Sequence, residues 1–341
     1  MKMRQTIYNT WMAALFVLAG SLTTGCSDDP EPEDTRSLLK ISSMTRAGGG
    51  EDLPAGTTIQ MLLVIPGEDT DGDLSGTVAY RGNNSWTSDV YIQAGETYQV
   101  YGFMPAGIAT SSSVTGAAKN VLAMEGFSPL SREDVCLVIG VKDGDAEGDV
   151  VPGQYTYETG LDGNNSIHLL MQHIYSDVHF KMMISEDYDR LRTVKVKELK
   201  LKVNIPSKDG KMKAQATLTN SRTAPINPFT IGPVEGGEQK EPEMMLFTSD
   251  EGVRLTTDGF IEVDGYFAAG YSENISLVSR YDVYDKAGNL LGERTAENKL
   301  TYVIGGILAG HRKEVTLTVN PTYLYQLSEP DLDNPTVTIE N

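Results

Sequence analysis

Of 341 residues, 28 are basic and 47 acidic, a formal net charge of −19, and 40% are hydrophobic. So acidic a surface repels nucleic acid and anionic membrane, which excludes nucleic acid as a partner and leaves any membrane attachment to an anchor. Once an export segment is set aside, roughly 315 residues remain, a length that suits two domains.

The first 25 residues read as a targeting segment. Lys2 and Arg4 give a positive start, and Trp11 to Gly20 is an apolar run well short of the roughly 20 residues a bilayer span needs. Leu22-Thr-Thr-Gly-Cys26 follows. Small residues before a cysteine suit the signal peptidase that cuts ahead of a diacylglyceryl cysteine, so Cys26 is expected to become the lipidated first residue. Leu22 stands four places before Cys26, and Thr23 takes the leucine's usual place. No other stretch is long and apolar enough for a membrane helix, so the lipid chains on Cys26 would be the membrane attachment. Residues 26–36 are acidic and contain proline, which predicts a flexible tether. With Cys26 acylated, Cys136 has no disulfide partner. Its setting, VCLVIGV, predicts a buried, inert thiol on a strand. A nucleophile would need a histidine and an electropositive setting beside it, and the sequence displays neither.

Strands are predicted at Thr57–Ile65, Val90–Gln93, Thr97–Met104 and Val135–Val141, separated by Gly, Asn, Asp and Pro clusters. A turn or two of helix is expected over Asn120–Glu125. A second set of strands begins near Leu169. Val178, Phe180, Met182 and Ile184 alternate with more polar neighbours, the mark of a half-buried strand. Val194 and Val196 alternate with Lys195 and Lys197. After Glu198 the phase slips by one, and Leu199, Leu201 and Val203 alternate with Lys200 and Lys202. A slip of one predicts a β-bulge with the four lysines on the solvent face. Ser276–Tyr284 and Leu290–Glu293 flank a hairpin loop, Asp285–Asn289. Leu300–Ile304, Glu314–Val319 and Pro335–Glu340 complete the strands. The fold class is therefore all-β, two β-sandwiches in series, with domains at 37–170 and 171–341.

Catalytic spacings such as GxSxG, HExxH, GxxxxGK and CxxC are absent from the sequence. His173 and His179 would lie about 20 Å apart on an extended chain, too far to share a metal. Asp69, Asp71 and Asp73 have calcium-loop spacing, but Leu74 replaces the glycine and Tyr80 the closing glutamate. In the loop of Asp143, Asp145, Glu147 and Gly148 the closing position is Gln154. Both read as solvated acidic loops, with no cofactor and no metal assigned.

Several segments together resemble the fimbrillin family, the pilin-like lipoproteins of Bacteroidales. They are the LTTGC cysteine with SDDPEPEDT after it, MTRAGGG at Met44–Gly50, LLMQHIYSDVHFKMMI at Leu169–Ile184, and the stretches Tyr281–Val319 and Pro321–Glu340. The acidic run after Cys26 also resembles the signal that sends such lipoproteins to the outer face of the outer membrane. The resemblance implies two transthyretin-like β-sandwiches and no catalysis. It implies cleavage after an arginine near the start, here Arg46, which would release SLLKISSM with Leu38, Leu39 and Ile41. It further implies that a C-terminal strand of another subunit fills the vacated groove, here the run carrying Val337 and Ile339. Arg36 is a second possible cut site, but cutting there would leave SLLKISSM attached. On this reading the chain is a structural or adhesive fimbrial subunit whose partners are other subunits, the outer membrane and a surface ligand. The alternative is a monomeric surface glycan-binding lipoprotein that stacks sugars on Trp86 and Tyr91.

Overall fold

The computed structural model describes residues 36–46, 53–67, 73–143, 156–159, 166–217, 229–258 and 261–320. Cys26 and the run with Val337 and Ile339 lie outside them. Among the described residues no helix is long and apolar enough to cross a membrane.

The chain is built almost wholly of strands. SLLKISSM supplies most of β1 (Arg36–Leu38) and of β2 (Lys40–Arg46). Next come β3 (Thr58–Val64), β4 (Leu74–Gly82) and β5 (Ser85–Ser88). The loop between β4 and β5 is Asn83–Asn84, with φ of 51° and 56°, the left-handed pair that matches strand twist in a two-residue hairpin. Then follow β6 (Tyr91–Gln93), β7 (Thr97–Met104), β8 (Ser111–Thr115), β9 (Val121–Phe127), β10 (Leu130–Ser131), β11 (Cys136–Asp143), β12 (Thr156–Glu158) and β13 (Ser166–His173). Ile174 alone separates β13 from β14 (Tyr175–Ile184). The rest is α1 (Glu186–Leu191), β15 (Thr193–Val203), β16 (Ser207–Lys208), β17 (Met212–Thr217), β18 (Phe229–Pro233), β19 (Gln239–Lys240), β20 (Glu243–Arg254), β21 (Ile261–Ala268), β22 (Ile275–Tyr284), β23 (Leu290–Lys299), α2 (Thr301–Ile304) and β24 (Arg312–Val319).

The largest sheet runs β2-β13-β11-β7-β3-β4-β5, with β12 beside β7. Both its faces are covered. Ile59, Met61 and Leu63 of β3 enter one apolar cluster, while Leu62 and Val64 enter the other. This explains the near-continuous apolar run of that strand. Two four-stranded sheets, β10-β21-β14-β24 and β20-β15-β22-β23, built from strands of the second half together with β10 of the first, face each other. Phe180, Met182, Leu199, Leu201 and Leu277 fill the space between them. A further sheet, β18-β17-β9-β8, combines strands from both halves.

The predicted bulge is present. Val196 and Glu198 pair with adjacent residues of β22, Tyr281 and Arg280, leaving Lys197 as the extra residue. The Asp285–Asn289 loop also closes the β22–β23 hairpin, with Asp285 N–H donating to Asn289 O at 3.0 Å.

Two expectations are corrected. Asn120–Glu125 is not helical: Val121–Phe127 is a strand, and Leu122 and Met124 are its buried alternates. Val121 and Ala123 on the opposite face blurred the period. Leu300–Ile304 is not a strand. It is a helical turn in which Ile304 N–H donates to Leu300 O at 2.9 Å. A strand would put Leu300, Tyr302 and Ile304 on one face, yet Leu300 and Ile304 are buried and Tyr302 is 91% exposed. Spacing of four in a helix separates them as required.

Candidate functional site

The N-terminal strands occupy a seat built by the rest of the chain. β1 pairs antiparallel with β6, Leu38 opposite Tyr91, and Leu39 N–H donates to Val90 O at 2.9 Å. β2 then runs parallel to β13 at the end of the largest sheet, from Lys40 opposite Ser166 to Arg46 opposite Met171. Ser42 Oγ donates to Ile167 O at 3.0 Å. Leu39 and Ile41 are 1% and 7% exposed and pack in the cluster of Ile59, Met61, Val90, Ile167 and Leu169. Each such burial is worth about 1.5–3 kcal/mol. Arg46 is the last residue of β2, so the chain up to Arg46 is an edge segment, and its Leu39 and Ile41 plug a groove that other strands line.

A second edge lies at the far end. β24 runs parallel to β14 along eight register pairs, Asp177 opposite Arg312 to Ile184 opposite Val319. β24 and β23 are the end strands of their two sheets. A small cavity of about 100 Å³ opens between them, lined by Met182, Leu277, Tyr281, Ala296 and Leu317.

The four lysines of β15 do form its outer face, but acids answer each of the last three. Lys197 Nζ is 2.9 Å from Asp282, Lys200 Nζ 3.7 Å from Glu243, and Lys202 Nζ 2.6 Å from Glu241. Lys195 sits over the Tyr284 ring, 5.3 Å from its centroid. Glu198 pairs with Arg280, a contact that holds its carboxyl below the usual range. This is a charge ladder on a sheet face, not a patch for an acidic partner.

Trp86 is packed at the β4–β5 hairpin, its ring 4.9 Å from that of Tyr80. Tyr91 is 59% exposed. Asp73, one of the acidic-loop residues, accepts from Ile65 N–H and pairs with Lys119 at 3.3 Å.

No family model matches the chain, and no curated protein matches it by sequence. Its neighbours in fold are named as adhesion and fimbrial proteins of Bacteroides. A protein of Bacteroides uniformis, provisionally named a cell adhesion protein, is 14% identical, with a TM-score of 0.43 over 84% of this chain and 95% of its own. A fimbrial protein of Bacteroides vulgatus is 9% identical, with a TM-score of 0.38 over 78% of this chain and 89% of its own. A protein of Bacteroides thetaiotaomicron, provisionally named polysaccharide-binding, is 9% identical, with a TM-score of 0.30 over 79% of this chain and 85% of its own. With identities this low and TM-scores below 0.5, none of them assigns a function to this chain.

One cluster was not legible in the sequence. Cys136 is buried, as expected, but His173 lies directly across the β11–β13 ladder from it. His173 Nδ1 is 3.5 Å from Cys136 Sγ and 2.8 Å from Asp134 Oδ2. Cys136 Sγ is 3.4 Å from the same carboxylate oxygen. Gly310, at φ +77°, packs on the His173 ring; an added Cβ would come 3.3 Å from the imidazole's own Cβ. A nucleophilic relay would need carboxylate and thiol on opposite ring nitrogens. Here both meet Nδ1, and Cys136 is fully buried, so the arrangement is not a catalytic triad. The residues between β11 and β13 separate these groups widely in sequence, and only the strand pairing joins them.

Proposed function

We propose that this chain is a non-enzymatic structural or adhesive subunit of a cell-surface fimbria, carried to the outer membrane as a lipoprotein acylated on Cys26. Cleavage after Arg46 frees β1 and β2, and a strand from another subunit, the run with Val337 and Ile339, takes their seat. The observation that carries this reading is the placement of β2. It is the end strand of its sheet, it stops at Arg46, and its Ile41, with Leu39 just before it, fills a groove. Its departure leaves a row of unpaired backbone groups on β13 beside apolar pockets, which is what β-strand addition requires. The sequence resemblance set out above points the same way. The division at residue 170, which falls inside β13 (Ser166–His173) a few residues before the join at Ile174, remains part of the proposal.

The test is limited trypsin on the full chain. Cleavage after Arg46 should convert a monomer into a ladder of detergent-resistant species, visible by electrophoresis and as filaments by electron microscopy. Arg46→Gln should stay monomeric under the same treatment. A cut, folded protein that never oligomerises would overturn strand exchange.

A further inference from the structure

We propose that Asp134, Cys136 and His173 form a binding site for a zinc-class divalent cation, with its fourth position open to an adjoining cavity. The donor set is one thiolate, one imidazole and one carboxylate, the ligand types zinc takes. Their nearest atoms all lie within 4.8 Å of one another. Tetrahedral bonds of about 2.0–2.3 Å put neighbouring donors roughly 3.3–3.6 Å apart. The sulfur already stands 3.5 Å from Nδ1 and 3.4 Å from the carboxylate oxygen. Only the edge between Nδ1 and Asp134, at 2.8 Å, must open, by a few tenths of an ångström.

The surroundings fix these donors. β11 and β13 hold Cys136 opposite His173, and Asp134 lies in the short segment that leads into β11. Gly310 N–H donates to Tyr175 O at 2.7 Å, and its bare Cα lets that loop close on the His173 ring. Asp134 and His173 both line a cavity of about 590 Å³, with Met104, Asp177, Tyr266 and Arg312. The fourth ligand would come from that side, as water or as a donor atom of a bound molecule.

The proton balance is simple. On metal binding Cys136 loses its thiol proton to solvent, and the proton that His173 Nδ1 directs at Asp134 gives way to the metal while Nε2, buried and without a partner, takes up the ring's single proton from solvent. Two anionic ligands then neutralise a divalent ion, which limits the cost of placing it in a half-buried setting. The site lies next to the seat of β2 but does not depend on strand exchange.

The test uses cobalt(II) as a spectroscopic stand-in for zinc, on the lipid-free full chain carrying Cys26→Ala, so that Cys136 is the lone thiol. Cobalt should give a thiolate-to-metal charge-transfer band in the near ultraviolet and the intense visible bands of tetrahedral coordination. One equivalent of zinc should erase both. Cys136→Ser should lose the charge-transfer band. His173→Gln and Asp134→Asn should each weaken binding by at least about tenfold, the lower bound for disturbing even outer ligands. Circular dichroism checks that each variant folds, and should a variant not fold, the parent spectrum decides alone. A parent protein without the charge-transfer band, or a band that persists in Cys136→Ser, would show that the cluster is a hydrogen-bonded packing group and overturn the site.

Discussion

β2 and β24 are both end strands, and both run parallel to a neighbour. Those neighbours, β13 and β14, are consecutive in the chain, yet the two edges are built differently. β24 pairs along eight residues without a break in register, whereas β2 pairs along six with a shift between Ile167 and His168. Beside β24, Arg312 bridges Asp177 at 3.0 Å and Asp264 at 3.2 Å, tying the strand into a polar cluster that includes His179. β2 is seated by its ladder with β13 and by the apolar side chains of Ile41 and of Leu39 just before it. In strand addition main-chain hydrogen bonds supply affinity and side-chain pockets supply specificity, so another strand with apolar residues at matching positions can take such a seat, whereas replacing β24 would also break its ion pairs. Under the proposed strand exchange, β2 is the edge to be replaced and β24 the one that stays.

The comparison breaks most sharply if the two strands are removed in turn. Cleavage after Arg46 should leave the far-ultraviolet circular dichroism spectrum of a folded β protein. Truncation before Arg312 should abolish cooperative unfolding, because it strips an eight-residue ladder and the burial of Val315 and Val319. If both forms unfold, β2 is as integral as β24 and the proposed exchange fails.

Point changes sharpen the same contrast. Leu39→Ala or Ile41→Ala should each lower stability by about 2–4 kcal/mol, read from denaturant midpoints. Each should also accelerate loss of the N-terminal segment after cutting. Val315→Ala should cost about 1.5 kcal/mol and leave that release rate unchanged. A smaller effect comes from the sheet that ends at β23. Asp282 is 4% exposed at its side chain and faces Lys197 at 2.9 Å, so Lys197→Met should lower the denaturant midpoint by leaving a buried carboxylate without its cation. Lys200→Met, on a more open pair with Glu243, should cost under about 1 kcal/mol. Equal costs would mean that burial of Asp282 does not set the strength of this ladder.

What could be read from sequence follows the same physics. The bulge at Lys197 was legible because alternation is a local signal, and one slipped phase in β15 has one geometric cause. The class of the fold, the β22–β23 hairpin and the burial of Cys136 were legible on the same grounds. Asn120–Glu125 misled because apolar residues on both faces of β9 hide a period of two. Leu300–Ile304 misled because five residues fit a strand or a helical turn equally well until burial of Leu300 and Ile304 chooses. The Asp134–Cys136–His173 cluster and the seat of β2 depend on pairing between distant strands, which no local pattern encodes.

The smallest expected effect tests whether the ion cluster beside β24 belongs to that edge alone. His179 on β14 has Nδ1 2.8 Å from Asp264 Oδ1 and Nε2 3.7 Å from Glu262, and its β24 register partner is Glu314. The hydrogen bond to Asp264 raises the imidazole above its ordinary value, with burial and the nearby Arg312 acting against it. The folded protein therefore holds this proton more tightly than the unfolded chain does. The resulting stabilisation is fully present below the unfolded value of about 6.5 and is lost as pH rises through the higher folded value. The pair is open to solvent on the Asp264 side, so its worth is about 0.5 kcal/mol. Denaturant midpoints of the parent should thus fall across that window by more than those of His179→Gln, and the difference between the two proteins isolates this group from every other titration. Release of the cut N-terminal segment should show no such difference, since β2 lies across the join at Ile174 from this cluster. A release rate that tracked the His179 titration would mean the two edges are coupled through β13 and β14, and β2 could not then be treated as an independent plug.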